Sequence, residues 1–241
     1  RYLRFVRSFL LPAGHAGMDG DLIDRFTGSG LTYDFDSEAE RRFLALSSVK
    51  YLISRSEYRS HGQPTSEFRK IYAGEALVYE VPDVLPRAAL FSAVEVLPDD
   101  AVLARLKDPA FNPREKVVVS RETMGAGNGL STLIGAPPSP PSAVRISRYQ
   151  SQDVAVEAET PAPALLVLND TNYPGWRAYV NGQPADMLTA NFLFRGVLLP
   201  AGKSTVEFKY QPRSFRIGSG VSGAALAILL VLVWRERRTR A

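Results

Sequence analysis

An uncharged run of eighteen residues, Ile217 to Trp234, is followed at once by Arg235, Arg237, Arg238 and Arg240. It constrains the chain more than any other feature. At a rise of about 1.5 Å per helical residue, such a run measures ~27 Å, close to the ~30 Å hydrocarbon thickness of a bilayer. Leu226 to Val233 is aliphatic, and Trp234 stands where an interfacial aromatic is expected. The opposing reading is a buried helix closing a soluble domain. It fits less well, because such helices are shorter and seldom run straight into a cluster of arginines. The sequence therefore predicts a membrane-spanning helix over residues 217–234 and a basic tail over 235–241.

Charge sets the expected orientation. By the positive-inside tendency the arginine tail lies in the cytoplasm, so the region before the span lies outside it. The whole chain carries +4 and the tail contributes +3, which leaves the rest near neutral at +1. The high pI of about 9.4 is thus largely a property of the tail, and no nucleic-acid partner is expected. Gly218 with Ser222, and Ser219 with Gly223, are small-xxx-small pairs. They suit close packing against other transmembrane helices; the alternative is a flexible exit from the domain. At the other end, Arg1, Arg4 and Arg7 alternate with Tyr2, Leu3, Phe5 and Val6, which is no signal peptide. Two readings stay open: a segment leaving a bilayer surface in a longer polytopic protein, or an ordinary amphipathic surface helix.

Cysteine is absent, so disulfides, thiolate metal sites and cysteine nucleophiles are excluded. With 45% hydrophobic residues a packed core is feasible, and 17 prolines with 18 glycines suit a turn-rich β fold. Residues 1–136 read as an α+β part. Loop signals fall at Pro12 to Gly20 and Thr27 to Gly30, and Ser37 with Glu40 forms a capping box before a short helix. Strands are expected at Val49 to Ser54, Glu75 to Val81, Ala88 to Leu97 and Lys116 to Ser120. A helix capped by Asp99 or Asp100 is expected to reach Leu106, and residues 55–70 read as polar loop. The glycines from Gly125 to Gly129 lack the lysine and the strand-to-helix setting of a phosphate loop. Residues 137–142 form a stiff proline-rich joint, which either separates two sandwiches or links two sheets of one.

Residues 143–216 read as antiparallel β. Strands are expected at Val144 to Tyr149, Val154 to Ala158, Leu165 to Leu168, Trp176 to Val180, Pro184 to Thr189, Asn191 to Leu199 and Ser204 to Tyr210. Asn181-Gly182 is a strong two-residue hairpin signal, and Pro200 to Gly202 forms another turn. The expected fold is therefore mainly β with minor α (α+β): an antiparallel β-sandwich-like extracytoplasmic domain followed by one C-terminal transmembrane helix.

The second half also carries an ordered set of motifs. They run from Asn169-Asp170 through Tyr173-Pro174-Gly175-Trp176, Asn181-Gly182, Ala190-Asn191, Phe194-Arg195 and Pro200 to Gly202, to Tyr210, Pro212 and Phe215 before a Gly/Ser-rich span. This set resembles the C-terminal end of YfhO-like bacterial membrane proteins, which are large, polytopic and related to the GT-C glycosyltransferases. Ser48 to Ile53 and Leu85 to Ala88 are similar to earlier parts of the same outer domain. The resemblance implies a parent that transfers sugars from polyprenyl-phosphate donors to cell-envelope acceptors. It also implies partners among membrane lipid, other transmembrane helices, a polyprenyl-linked sugar and envelope glycan. The acidic catalytic residue of such enzymes lies in an early loop outside this chain, so no catalytic residue is carried over. Asn181 departs from the family, where an acidic residue often precedes the glycine.

Asp170, Tyr173, Trp176, Asn191 and Arg195 are the candidate substrate-binding residues. Aromatic faces suit sugar rings, and the polar groups suit hydroxyls or phosphate. The competing reading is architectural: Tyr173 to Trp176 makes a sharp turn, with Asp170 capping its amides. No cofactor and no metal site is expected. His15 and His61 have no ligand spacing, no nucleophile elbow is present, and Asp34 with Asp36 look like solvated turn residues. A single-span surface module that binds carbohydrate or protein is the alternative function, and an envelope hydrolase assembled only in three dimensions is a third.

Overall fold

A computed structural model describes residues 1, 4–5, 38–54, 59–60, 63–64, 68–124, 129–137 and 143–239. The Ser37 capping box, both histidines, Asp34 with Asp36, the loop signals before residue 31, Gly125 to Asn128 and most of the proline-rich joint lie outside these residues.

After residues 1 and 4–5, of which Phe5 joins the core, come helix α1 (Glu38–Leu46) and strand β1 (Tyr51–Ser54). Two short pairs follow: β2 (Arg59–Ser60) with β3 (Gln63–Pro64), and β4 (Arg69–Ala73) with β5 (Leu77–Glu80). Strands β1, β5 and β4 make a small antiparallel sheet whose inner face packs Tyr79, Val81 and Phe68 against Leu44 of α1. Residues 55–70 are therefore not all loop. β4 is exposed along its whole length, so no alternating apolar pattern marks it.

The Ala88 to Leu97 run is two strands, β6 (Ala88–Phe91) and β7 (Ala93–Leu97), broken at Ser92. Helix α2 (Asp99–Lys107) and strand β8 (Lys116–Ser120) complete a β-α-β unit in which β7 and β8 are parallel. Neither Asp99 nor Asp100 caps α2; Pro98 holds the cap position without a side-chain bond. The amide of Asp99 instead donates to the Glu122 carboxylate at 3.1–3.2 Å, while its own carboxylate pairs with Arg1.

The remaining strands are β9 (Ala143–Tyr149), β10 (Asp153–Thr160), β11 (Ala164–Thr171), β12 (Trp176–Val180), β13 (Gln183–Ala185), β14 (Leu188–Ala190), β15 (Phe194–Leu199) and β16 (Gly202–Tyr210). They build a five-stranded sheet, β13-β12-β16-β10-β9, and a six-stranded sheet, β6-β11-β15-β14-β8-β7. The Pro184 to Thr189 run divides at Asp186 and serves both sheets. Asn181 (φ 51°) and Gly182 (φ 78°) form the tight hairpin joining β12 to β13. Two left-handed residues in succession are what such a turn requires, and Asn with Gly tolerate them best.

The two sheets face each other across Val154, Val156, Val206 and Phe208 on one side and Leu166, Leu168, Val197 and Leu199 on the other. The opposite face of the six-stranded sheet is also covered: Val117, Val119, Leu165, Val167 and Phe194 pack under Val102 and Leu106 of α2 and Phe111. Burial on both faces explains the nearly continuous apolar run of β11. The fold is the expected β-rich sandwich with few helices. Strands from both sides of residues 137–142 share one sheet, because β6 pairs with β11 and β8 with β14.

β16 passes through Gln211 and Pro212 into helix α3 (Arg213–Thr239), longer than the expected span. Its apolar stretch, residues 213–231, is long enough to cross a bilayer and is uncovered on all sides, with Ile217, Val221, Leu226 and Leu229 all exposed.

Candidate functional site

The site is built where two sheets end side by side. β11 leaves the six-stranded sheet through Asn169 and Asp170, and β12 enters the five-stranded sheet at Trp176. The turn between them is anchored at both ends: the Asn172 amide donates to the Leu193 carbonyl at 2.7 Å, and the Gln211 amide donates to the Gly175 carbonyl at 2.6 Å.

Arg195 is the centre of the cluster. Only 4% of it is exposed, in spite of its charge. Its guanidinium lies over the Trp176 ring, 3.6 Å from the ring centre, and its Nε donates to the Thr171 carbonyl at 3.1 Å. Nη1 stands 3.9 Å from Asp170 Oδ2 and has no hydrogen-bond partner among the described residues. Burial pulls the Arg195 pKa down to about 10, against the opposing pull of the Asp170 charge and of Tyr149. Trp176 is sandwiched in turn, with the Tyr210 ring 5.5 Å away on β16.

Asp170 does not cap the turn. Its carboxylate accepts from Arg87 Nη1 at 3.1 Å and from the Tyr149 hydroxyl at 3.0 Å. Arg87 also reaches over the Tyr149 ring, 6.0 Å from its centre. Removal from water raises the Tyr149 pKa first, and the neighbouring Asp170 charge and hydrogen bond raise it further. Asp170, Trp176 and Arg195 are thus brought together, and Arg87 and Tyr149 join them. The sequence reading missed both. Arg87 sits in the Leu85 to Ala88 turn that the resemblance had singled out, and Tyr149 ends an alternating strand, but their common partner is 83 and 21 residues distant.

The other two candidates lie apart. Tyr173 is exposed at the tip of the turn. Asn191 is buried and left-handed (φ 45°), and its Oδ1 accepts from the Val118 amide at 3.0 Å while its own amide donates to the Val118 carbonyl at 2.7 Å. This ties β14 to β8 and leaves Asn191 facing the core. Among the described residues no His, Asp or Glu group is arranged to hold a metal ion.

Chemically, the cluster offers one half-buried carboxylate between two guanidinium groups, beside exposed aromatic surface. It can donate hydrogen bonds from Arg87 and Tyr149 and present ring faces. No nucleophile–base pair stands in it. A recess of about 530 Å³ at the other end of the sandwich is lined by Arg145, Glu157, Lys203 and Ser204. Its charged groups are already paired, Arg145 with Glu157 at 2.9 Å and Lys203 with Glu159 at 4.0 Å.

The turn is also mechanically tight. Gly175 has φ 109°, and a Cβ there would lie 2.8 Å from Tyr210 Cε2 and 3.3 Å from Pro212 Cα. Gly175→Ala is expected to cost about 2 kcal/mol, or ~4–8 °C in the melting of the detergent-solubilised chain followed by near-UV circular dichroism. An unchanged melt would mean that the turn does not brace the strand-to-helix exit.

Residues 141–222 match a family model described as "Bacterial membrane protein YfhO". The match runs from just before β9 into the first part of α3 and includes all five candidate residues, whereas Arg87 and the Ser48 to Ile53 motif precede it. No curated protein and no solved structure matches the chain. The family match and the uncovered apolar helix agree in placing the chain in a membrane. The chain is a membrane protein that carries, in residues 141–222, a YfhO-like C-terminal region.

Proposed function

We propose that this chain is the extracytoplasmic C-terminal domain and last transmembrane helix of a polytopic YfhO-like protein. In this reading the parent moves a sugar from a polyprenyl-phosphate donor to a cell-envelope acceptor at the bacterial inner membrane. This part holds the acceptor and packs against the other helices, and the chemistry takes place elsewhere in the parent. One observation carries the reading: β16 runs directly into the uncovered helix, and the aromatic and guanidinium cluster packs on that same exit through Tyr210.

The roles follow from exposure. Arg87 and Tyr149 hydrogen-bond acceptor hydroxyls or an anionic substituent. The open edge of Trp176 supplies a face for sugar rings. Asp170 fixes Arg87 and Tyr149 in position, Arg195 fixes Trp176, and Asn191 serves the scaffold. The arginine tail sets the orientation, with the C-terminus cytoplasmic. Arg1 and Arg4 lie over the Phe192 ring in the turn before β15, at the helix-exit end of the sheet, which suits a chain arriving from earlier spans.

Titration of the chain in lipid nanodiscs with envelope oligosaccharides tests this. Arg87→Ala is expected to weaken binding about tenfold, the equivalent of one lost charged hydrogen bond. The chain alone is expected to transfer nothing from a polyprenyl-phosphate sugar. Turnover by the chain alone, or the same affinity in the variant, would overturn the proposal.

A further inference from the structure

The end of the sandwich from which α3 departs has an unusual surface. Tyr149 and Tyr173 are 55% and 59% exposed there, and Phe215, in the first turn of α3, is 73% exposed. Arg87 and Arg213 flank them. The other end of the sandwich carries Asn181, Gly182, Gln183, Glu159 and Lys203 at its turns, with no large apolar side chain exposed among them. The two ends thus differ in kind: the α3 end gathers aromatic and cationic groups, whereas the far end is mainly polar, with Ile134 exposed beside the start of β7.

The exit is held in place. Gln211 is hydrogen-bonded to the Gly175 carbonyl, the Tyr210 ring packs at a tilt against Trp176, and Gly175 packs against Pro212. The apolar run begins at Ile217, only four residues into α3, and four helical residues rise ~6 Å. The polar layer on each side of a bilayer is of similar depth, roughly 5–8 Å. Arg213 and Phe215 therefore occupy that layer, and the Tyr173 turn, one hydrogen bond from Gln211, reaches its outer edge. A recess of about 560 Å³, lined by Gln152, Tyr210, Gln211, Pro212 and Phe215, opens at the same place. Its amides and ring suit the glycerol and phosphate part of a phospholipid headgroup.

We infer that this end of the sandwich is a bilayer-contact surface: Tyr173 and Phe215 seat in the headgroup layer of the membrane that α3 spans, with Arg213 on lipid phosphates. Tyrosine and arginine are the side chains that favour this layer, through an apolar body with a polar end. The inference does not need the sugar-transfer reading; it rests on the helix and on the end of the fold from which it leaves.

The chain has no cysteine, so single labels can be placed cleanly. Tyr173→Cys, Gly182→Cys at the far hairpin tip and Leu229→Cys within α3 are each spin-labelled. They are then reconstituted in vesicles of phosphatidylethanolamine and phosphatidylglycerol. Power saturation with oxygen and a water-soluble nickel chelate reads their depth. The label at 229 is expected deep in hydrocarbon and the label at 182 in bulk water. The label at 173 should be several-fold less accessible to nickel than the one at 182. Equal nickel accessibility at 173 and 182 with 229 deep would overturn the contact surface alone. A water-exposed label at 229 would overturn it together with the membrane span.

Discussion

Arg195→Ala destabilises the chain by about 3–5 kcal/mol, the range for truncating a large buried side chain together with its polar and ring contacts. For a chain of this size that corresponds to a fall of about 10 °C in melting temperature. Three losses add up. Asp170, whose side chain is 14% exposed, keeps Arg87 and Tyr149 but loses the cation on its buried side. The Thr171 carbonyl loses its donor, and Trp176 loses the plate that fills the gap between the sheets. Arg195→Met keeps much of the volume and is expected to recover a substantial part of the loss, because a well-packed apolar chain avoids the desolvation that pulls this guanidinium down. Melts in detergent micelles, followed by near-UV circular dichroism, decide it. A shift below about 2 °C for Arg195→Ala would mean that the two sheets do not depend on this side chain.

Leu226→Arg, at the middle of α3, is expected to lower the inserted fraction of the chain about a hundredfold, since an arginine at a helix centre costs ~2.5–3.5 kcal/mol on insertion scales. The same charge placed at Ser214, in the first turn, is expected to change insertion by less than about threefold, because that position lies at the interface. Glycosylation mapping in membranes reads both. If Leu226→Arg inserts as well as the unaltered chain, α3 is not lipid-facing at its middle and packs against protein or water.

The features legible in the sequence are those fixed by a few neighbouring residues. The β12–β13 hairpin follows from Asn181 and Gly182, which satisfy the turn by themselves, and α3 follows from length and hydropathy alone. β8 and β12 fall on the predicted residues because each is bounded by its own breakers. What stayed hidden depends on distant partners. Nothing local says that Ser92 separates strands at opposite edges of one sheet, or that Glu122, not Asp99 or Asp100, serves the start of α2. The site divides in the same way. Asp170, Trp176 and Arg195 stood out by residue type near a recognisable turn. Arg87 and Tyr149 became visible only when the ends of two sheets were brought together. Asn191, polar and flanked by apolar residues, reads like a ligand-binding group from sequence, yet its backbone N–H and its carboxamide oxygen are spent on Val118.

The order β6-β11-β15-β14-β8-β7 has a consequence for how the chain is made. The outer strands come from residues before 121, and the middle three come from residues after 163. A ribosome therefore delivers the margins of the sheet first and its middle last. β6, β7 and β8 lack the middle strands of their sheet until residue 199 has emerged, and the transmembrane helix begins after one more strand, at Arg213. The sheet can close only after residue 199 has left the ribosome, so completion of the fold and arrival of the anchor fall close together.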